Sequence, residues 1–262
     1  MEERISSAQN PKVKRLLALQ EKSSLRRETG LFVVEGRREI ERCVASGFTV
    51  DTLFVCPEIA GDFAAAGKVF TLSRGVYEKV AYRGGTEGVM AEVKARHLSL
   101  ENLQLPENPL VVVMESVEKP GNLGAVLRTA DAAGADAVLV CDPLTDLYNP
   151  NLIRASLGAV FTVPVALCSS EDACAWLTGH GIRILTAQLQ DSRPYYETDM
   201  VRPTALVFGT EDKGLSDFWR NRADAHIRIP MAGKMDSLNV SVSAAILAFE
   251  AVRQRNAQTQ LL

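Results

Sequence analysis

The residues of this chain best suited to chemistry sit in three glycine-marked segments of its second half. Glu118 to Thr129 carries Asn122 and Arg128, an amide and a guanidinium that can both donate to a polar ligand. Leu206 to Leu215 carries Glu211, a fixed negative charge between Gly209 and Gly214, whose missing side chains leave main-chain amides open to a ligand. Ile229 to Ser241 carries Ser237 and Asn239 beyond the apolar Ile229 and Met231. Taken singly, each segment serves equally well as a turn or a helix cap. Other chemistries are poorly supplied. Gly121-Asn-Leu-Gly124 is only part of a dinucleotide-binding Gly-x-Gly-x-x-Gly, and Gly233-Lys234 lacks the upstream glycine and the following Ser or Thr of a triphosphate loop. His97, His180 and His226 are scattered, with no cluster of metal ligands around them.

Each segment joins a predicted strand to polar residues at a turn, so all three can converge at the carboxyl edge of one sheet, where open α/β folds bind ligands. The strands are predicted at Leu110–Met114, Ala137–Cys141, Phe161–Ala166, Ile182–Ala187, Thr204–Phe208 and Ala225–Ile229. All are apolar without polar alternation and lie a helix length apart, which is the pattern of a doubly wound parallel sheet covered on both faces. Helices are predicted over Asn122–Ala133, with Asn122 as N-cap and Gly134 as stop, over Glu171–Thr178, and from about Ser237 to Arg253.

The first hundred residues have a different texture. An opening helix places Val13, Leu16, Leu17 and Leu19 near one face, and short strands follow at Leu31–Val34, Thr52–Cys56, Lys68–Leu72 and Val89–Val93. Helical patterning at Glu39–Ser46 and near 62–66 makes this a smaller α/β domain. The chain therefore reads as a domain over 1–99, a linker over 100–109 rich in Asn and Pro, and a second domain over 110–262.

At 47% hydrophobic, the 262 residues can bury a sizeable core. A net charge of −3 argues weakly against a nucleic-acid partner, but between Arg4 and Arg27 the cations Arg4, Lys12, Lys14, Arg15, Lys22, Arg26 and Arg27 face only Glu21. That local excess can neutralise phosphates. Five cysteines without a Cys-x-x-Cys pair read as reduced thiols, and with no apolar leader they predict a cytoplasmic location. No apolar stretch approaches the roughly 20 residues of a membrane helix.

In order along the chain, Asn-Leu-Gly-Ala-x-Leu-Arg-Thr at 122–129, Phe-Gly-x-Glu-x-x-Gly at 208–214, and Ile-Pro-Met with Ser-Leu-Asn-Val-Ser at 229–241 resemble three motifs. They are those of the SpoU/TrmH family of SPOUT RNA methyltransferases. Leu147 to Ala159, which includes Arg154, is similar to a family segment on the substrate side. Ser6 to Lys14 and Phe32 to Arg38 resemble the substrate-binding extension of members that act on ribosomal RNA.

The resemblance implies methyl transfer from S-adenosylmethionine to a ribose 2′-hydroxyl of RNA, ribosomal rather than transfer RNA, without a metal. It also implies a parallel-sheet SPOUT domain with a C-terminal trefoil knot, paired as a homodimer. By the same resemblance Gly209, Ile229, Met231 and Leu238 hold the cofactor, and Asn122, Arg128, Glu211, Ser237 and Asn239 form the catalytic set. Arg128 either takes the hydroxyl proton or, since a guanidinium normally keeps its own, steadies developing charge. RNA contacts fall to Asn10, Lys12, Lys14, Arg15, Arg26, Arg27, Arg37, Arg38 and Arg154. Two rivals remain: a non-catalytic RNA-binding protein of the same fold, and a small-molecule enzyme of ordinary Rossmann type.

Overall fold

The computed structural model describes residues 3–61, 63, 67–82 and 87–259, and these form two compact units. The first takes the chain to His97 and then Asp146–Thr162; the second takes Leu98–Thr145 and the chain from Val163 onward.

In the first unit β1 (Glu3–Ile5), β2 (Leu31–Glu35), β3 (Val50–Val55), β4 (Lys68–Leu72) and β5 (Val89–Lys94) form a mixed sheet ordered β1-β4-β3-β5-β2. It is parallel from β1 to β3 and antiparallel on both sides of β5. The opening helix, Pro11–Glu21, starts where the Asn10 side chain accepts the Lys12 N–H at 2.9 Å and where Pro11 has no N–H to satisfy. It buries Val13, Leu16 and Leu19 against Val33, Phe54 and Leu72. The predicted helix at 39–46 is present as Arg37–Ala45, whereas the helical stretch expected near 62–66 lies outside the described residues apart from Phe63.

The returning segment, Asp146–Thr162, supplies part of this unit's core. The Tyr148 ring stacks on Phe32 with centroids 4.1 Å apart, and Phe161 lies 6.0 Å from Phe32 and 5.3 Å from Phe48. Arg96 places its guanidinium 4.2 Å from the Phe48 ring centre and its backbone N–H on Tyr148 Oη. Arg26, only 4% exposed, donates to Asp146 and to the carbonyls of Leu19 and Gln20, and Arg42 donates to the Leu157 carbonyl.

In the second unit β6 (Leu110–Glu115), β7 (Ala137–Cys141), β8 (Val165–Cys168), β9 (Arg183–Ala187), β10 (Arg193–Pro194), β11 (Thr204–Phe208) and β12 (Ala225–Arg228) form one sheet. Its order is β10-β12-β9-β11-β6-β7-β8 and every pairing is parallel. The central strands β6, β7 and β11 are buried along their whole length, as apolar runs without alternation require. One face packs Val111, Val113, Leu139, Ile184 and Trp219 into a single cluster, against which Leu100, Leu103 and Leu105 also lie. The long helix Val240–Thr259 packs on Pro120–Ala133. Its far end is held by Arg255, which donates to the carbonyls of Asn108, Pro109, Met200 and Arg202. Among the described residues no helix is long and apolar enough to cross a membrane.

Three predicted elements are corrected. Phe161–Ala166 is not one strand: Leu157 and Gly158 turn the chain at φ 51° and 84°, a short helix Ala159–Thr162 follows, and β8 starts only after Pro164. Apolarity alone does not tell a helical turn from a strand, and Phe161 is apolar because it joins the aromatic cluster. Asn122 is not an N-cap, since its helix begins at Pro120 with Lys119 in the cap position. The last helix starts at Val240 rather than near Ser237, and the residue capping it is Asn239, which accepts from Ser241 N at 2.9 Å and Ser241 Oγ at 2.6 Å.

Candidate active site

Because β6 and β11 are parallel neighbours, the turns that follow them open at the same end of the sheet. After β6 the chain reaches the helix carrying Asn122; after β11 it turns through Gly209 to Gly214. This turn is closed by a reciprocal pair of hydrogen bonds, Thr210 N–H to Gly214 O at 3.1 Å and Gly214 N–H to Thr210 O at 3.0 Å. Gly209 sits so close to the returning strand of the turn that a Cβ there would overlap the Gly214 carbonyl and the Leu215 nitrogen. Beneath it Glu115, 6% exposed at the end of β6, accepts from both the N–H and the hydroxyl of Ser216 and so pins the far side of the turn.

Glu211 gathers the polar groups. Its carboxylate pairs with Lys119 Nζ and accepts from Asn122 Nδ2 at 2.6 Å and from Asn239 Nδ2 at 2.7 Å. Asn239 also reaches Asn122 Oδ1, at 3.3 Å. Asn239 thus uses both ends of its amide, the oxygen as helix cap and the nitrogen as a site contact. The Lys119 hydrogen bond, assisted by Asn122, holds the Glu211 carboxyl below its ordinary pKa against the opposing effect of partial burial, and Glu211 in turn raises the Lys119 ammonium. The carboxylate is therefore ionised near neutral pH, with Oε2 on Lys119 and Oε1 shared by the two amides.

Beside this cluster lies a cavity of about 680 Å³, within the usual range for a small-molecule site. Gly209, Ile229, Met231 and Leu238 all line it, as do Ser237, Asn239, Phe208, Ile227 and Leu247. The wall combines apolar side chains with main chain made accessible by glycine, which suits a flat heteroaromatic group carrying polar substituents. Arg220 and Gln188 line it too, although Arg220 Nε and Gln188 Oε1 are themselves closed off from it and have no hydrogen-bond partner among the described residues.

Of the nine predicted catalytic and cofactor residues, the structure gathers eight in this place. The exception is Arg128, which is exposed, has no partner among the described residues, and lines neither the cavity nor the cleft around Lys119 and Asn122. At 100° per residue it points about 120° round the helix from Asn122 and lies about 9 Å further along. The residues missed in the sequence are Lys119 and Glu115, neither of which stands out by type or spacing.

The predicted RNA contacts divide. Lys14, Arg27, Arg38 and Arg154 are exposed. Arg26 is buried on Asp146 and two carbonyls, Arg15 neutralises the fully buried Glu92, and Arg37 donates to the Ala60 carbonyl and covers Phe63. Lys12 lies over the Phe70 ring, and Asn10 is a helix cap.

Residues 109–249 match the model of the SpoU rRNA Methylase family, and residues 10–91 match an MRM3-like substrate binding domain. A 23S rRNA (guanosine(2553)-2′-O)-methyltransferase of Bacillus subtilis is 32% identical over 94% of this chain and 97% of its own length. Among solved structures, an RNA 2′-O ribose methyltransferase is 37% identical with a TM-score of 0.85 over 97% of this chain and 99% of its own. An AdoMet-bound rRNA methyltransferase from Sinorhizobium meliloti is 32% identical with a TM-score of 0.88 over 96% of this chain and 97% of its own.

Proposed function

The chain belongs to the SpoU rRNA methylase family, and we propose that it methylates a ribose 2′-hydroxyl of ribosomal RNA with S-adenosylmethionine as donor. The observation that carries this reading is the placing of the Lys119, Asn122, Glu211 and Asn239 cluster at the edge of the cavity lined by Gly209, Ile229, Met231 and Leu238. The residues present fit the donor: the cavity sets the apolar side chains of Ile229, Met231 and Leu238 beside the glycine main chain at Gly209 and the polar Ser237 and Asn239. Bound there, S-adenosylmethionine supplies a methyl group activated by its sulfonium.

The protein's own part is to position the hydroxyl and help it lose a proton. Asn122 and Asn239 present amides next to an ionised Glu211, a rigid polar surface on which a ribose can be aligned. A carboxylate whose pKa is lowered is a weak base, so Glu211 orients rather than deprotonates. Ser237 completes the pocket wall. Arg128, exposed and unpaired among the described residues, is left to meet an RNA phosphate.

Substrate RNA is read by the first unit through Lys14, Arg27, Arg38 and Arg154, contacts that position a backbone without specifying its sequence. The protein works in the cytoplasm as a homodimer through the last helix, where Val242 and Phe249 are 46% and 48% exposed on the same element whose Ala244, Leu247 and Ala251 are buried. The C-terminal backbone forms a trefoil knot, as the resemblance to the family implies. Mapping ribose methylation of ribosomal RNA in cells with and without the gene tests the reading. One site or a few should lose methylation and regain it with the wild-type gene; an unchanged map refutes the proposal.

A further inference from the structure

Two of the five cysteines meet at the carboxyl edge of the parallel sheet. Cys141 ends β7 and Cys168 ends β8, and the two residues are partners in the parallel pairing of those strands. Neighbouring strands lie about 4.8 Å apart, so this pair falls inside the roughly 4.4–6.8 Å of Cα separation that a disulfide spans. Both side chains belong to the face that packs Leu139, Ala166 and Ala173, and their sulfurs are 3.9 Å apart, the distance of a weak thiol hydrogen bond. A bond between them requires the sulfurs to close to about 2.0 Å. The strand that must give is free to do so: β8 is the outermost strand of its sheet, and Cys168 is its last residue.

The two thiols are unequal. Cys141, like Cys43, Cys56 and Cys174, is buried, whereas Cys168 is partly exposed. The hydrogen bond from Cys141 lowers the Cys168 thiol against the opposing effects of burial, Asp172 and Asp142, and the same bond together with burial raises Cys141. The thiol that meets solvent is thus the readier to ionise, and a second thiol stands directly behind it. A reactive cysteine with a resolving partner in contact is what oxidant-sensitive pairs require. We propose that Cys141 and Cys168 form a modification site for hydrogen peroxide, closing to a reversible intrachain disulfide. The Cys168 sulfur takes one peroxide oxygen as the O–O bond breaks, giving a sulfenic acid and releasing the other oxygen as water. The Cys141 sulfur then attacks the Cys168 sulfur, and the displaced hydroxide leaves with the Cys141 proton as a second water. Two thiols give up two electrons and two protons, and one peroxide is reduced to two waters.

The test maps thiols in the folded, full-length protein. Reduced protein is freed of reductant and treated with hydrogen peroxide, and its remaining thiols are alkylated. Trypsin and an endoproteinase specific for glutamate then cut it, separating Cys168 from Cys174 at Glu171. Mass spectrometry should find peptide 129–154 joined to peptide 155–171, with two of the five thiols lost and both regained on treatment with dithiothreitol. The fold itself must direct this choice. In urea, Cys141 and Cys168 are 27 residues apart but Cys168 and Cys174 only six, so loop closure favours the second link there. Cys141→Ala should strand Cys168 as a sulfenic acid that dimedone captures. Five intact thiols after peroxide, a Cys168–Cys174 link in the folded protein, or Cys168 carried to sulfinic acid without a link each overturns the proposal. If Cys141→Ala does not melt cooperatively, the wild-type peptide map decides alone.

Discussion

Gly209→Ala isolates the physical demand made by the turn after β11. Gly209 does not have a positive φ, so no left-handed backbone excludes alanine there; the obstacle is space. The new methyl would fall on the Gly214 carbonyl and the Leu215 nitrogen, which are backbone atoms with no rotamer to change. Relief requires the two sides of the turn to part by about an ångström, and that breaks the paired Thr210 and Gly214 hydrogen bonds. Overpacking of this kind costs about 1–3 kcal/mol, and the two hydrogen bonds add about 1 kcal/mol each, so the closed turn loses roughly 3–5 kcal/mol. If only about 2 kcal/mol of that falls on the ligand-competent form, donor affinity drops about thirtyfold. Calorimetry with S-adenosylhomocysteine, beside thermal melting and far-ultraviolet circular dichroism, reads the effect. The control is Gly121→Ala, where nothing lies within 4 Å of the added methyl and the site is helical. That change should leave stability level or up to about 1 kcal/mol higher. Affinity of Gly209→Ala within twofold of wild type would show that the turn is not tight in solution and would remove it from the account.

Arg128→Ala should abolish methyl transfer and leave S-adenosylhomocysteine affinity within a few fold, because Arg128 lies away from the cavity; normal turnover in a single-turnover assay takes Arg128 out of the mechanism. The depressed Glu211 pKa has a definite sign: its contacts with Lys119, Asn122 and Asn239 are fully present above the ordinary carboxylate value, about 4.3, and are lost as pH falls through the lower folded value. A carbon-13 titration of the Glu211 carboxyl should show this, and Lys119→Met should move the midpoint upward; an unmoved midpoint contradicts the ion pair. Arg26→Ala strips the partner from Asp146 inside the first unit and should cost about 3–5 kcal/mol in chemical denaturation, against less than about 0.5 kcal/mol for Arg27→Ala at the surface. RNA affinity should respond to Arg27→Ala.

How much of this was legible depended on whether a residue's role is local. β7 and β11 are bounded as the sequence predicts, because a short run of buried apolar residues is a local signal. The convergence of Asn122, Glu211 and Asn239 was also readable, since a parallel sheet brings the turns at its carboxyl edge together. Lys119 was not, because its importance comes from Glu211, which lies far along the chain and opposite only after folding. Arg26 shows the reverse error: within a basic run it reads as a phosphate contact, yet its partner is Asp146. Charge in a sequence does not announce whether its counter-charge is solvent, RNA or a distant carboxylate. Phe161 misleads in the same way, as its apolarity serves Phe32 and Phe48 rather than a strand.

Chain order gives the borrowed segment Asp146–Thr162 a consequence for synthesis. A ribosome delivers Phe32 and Phe48 early, but the rings that cover them, Tyr148 and Phe161, emerge only after β6 and β7 have been made. The first unit cannot finish burying its aromatic face as it leaves the exit tunnel. It must wait, with that face open, while strands of its neighbour are already seeking partners. A nascent chain stalled between residues 98 and 145 therefore presents an unsealed aromatic surface, the kind of surface that chaperones hold and quality-control proteases cut.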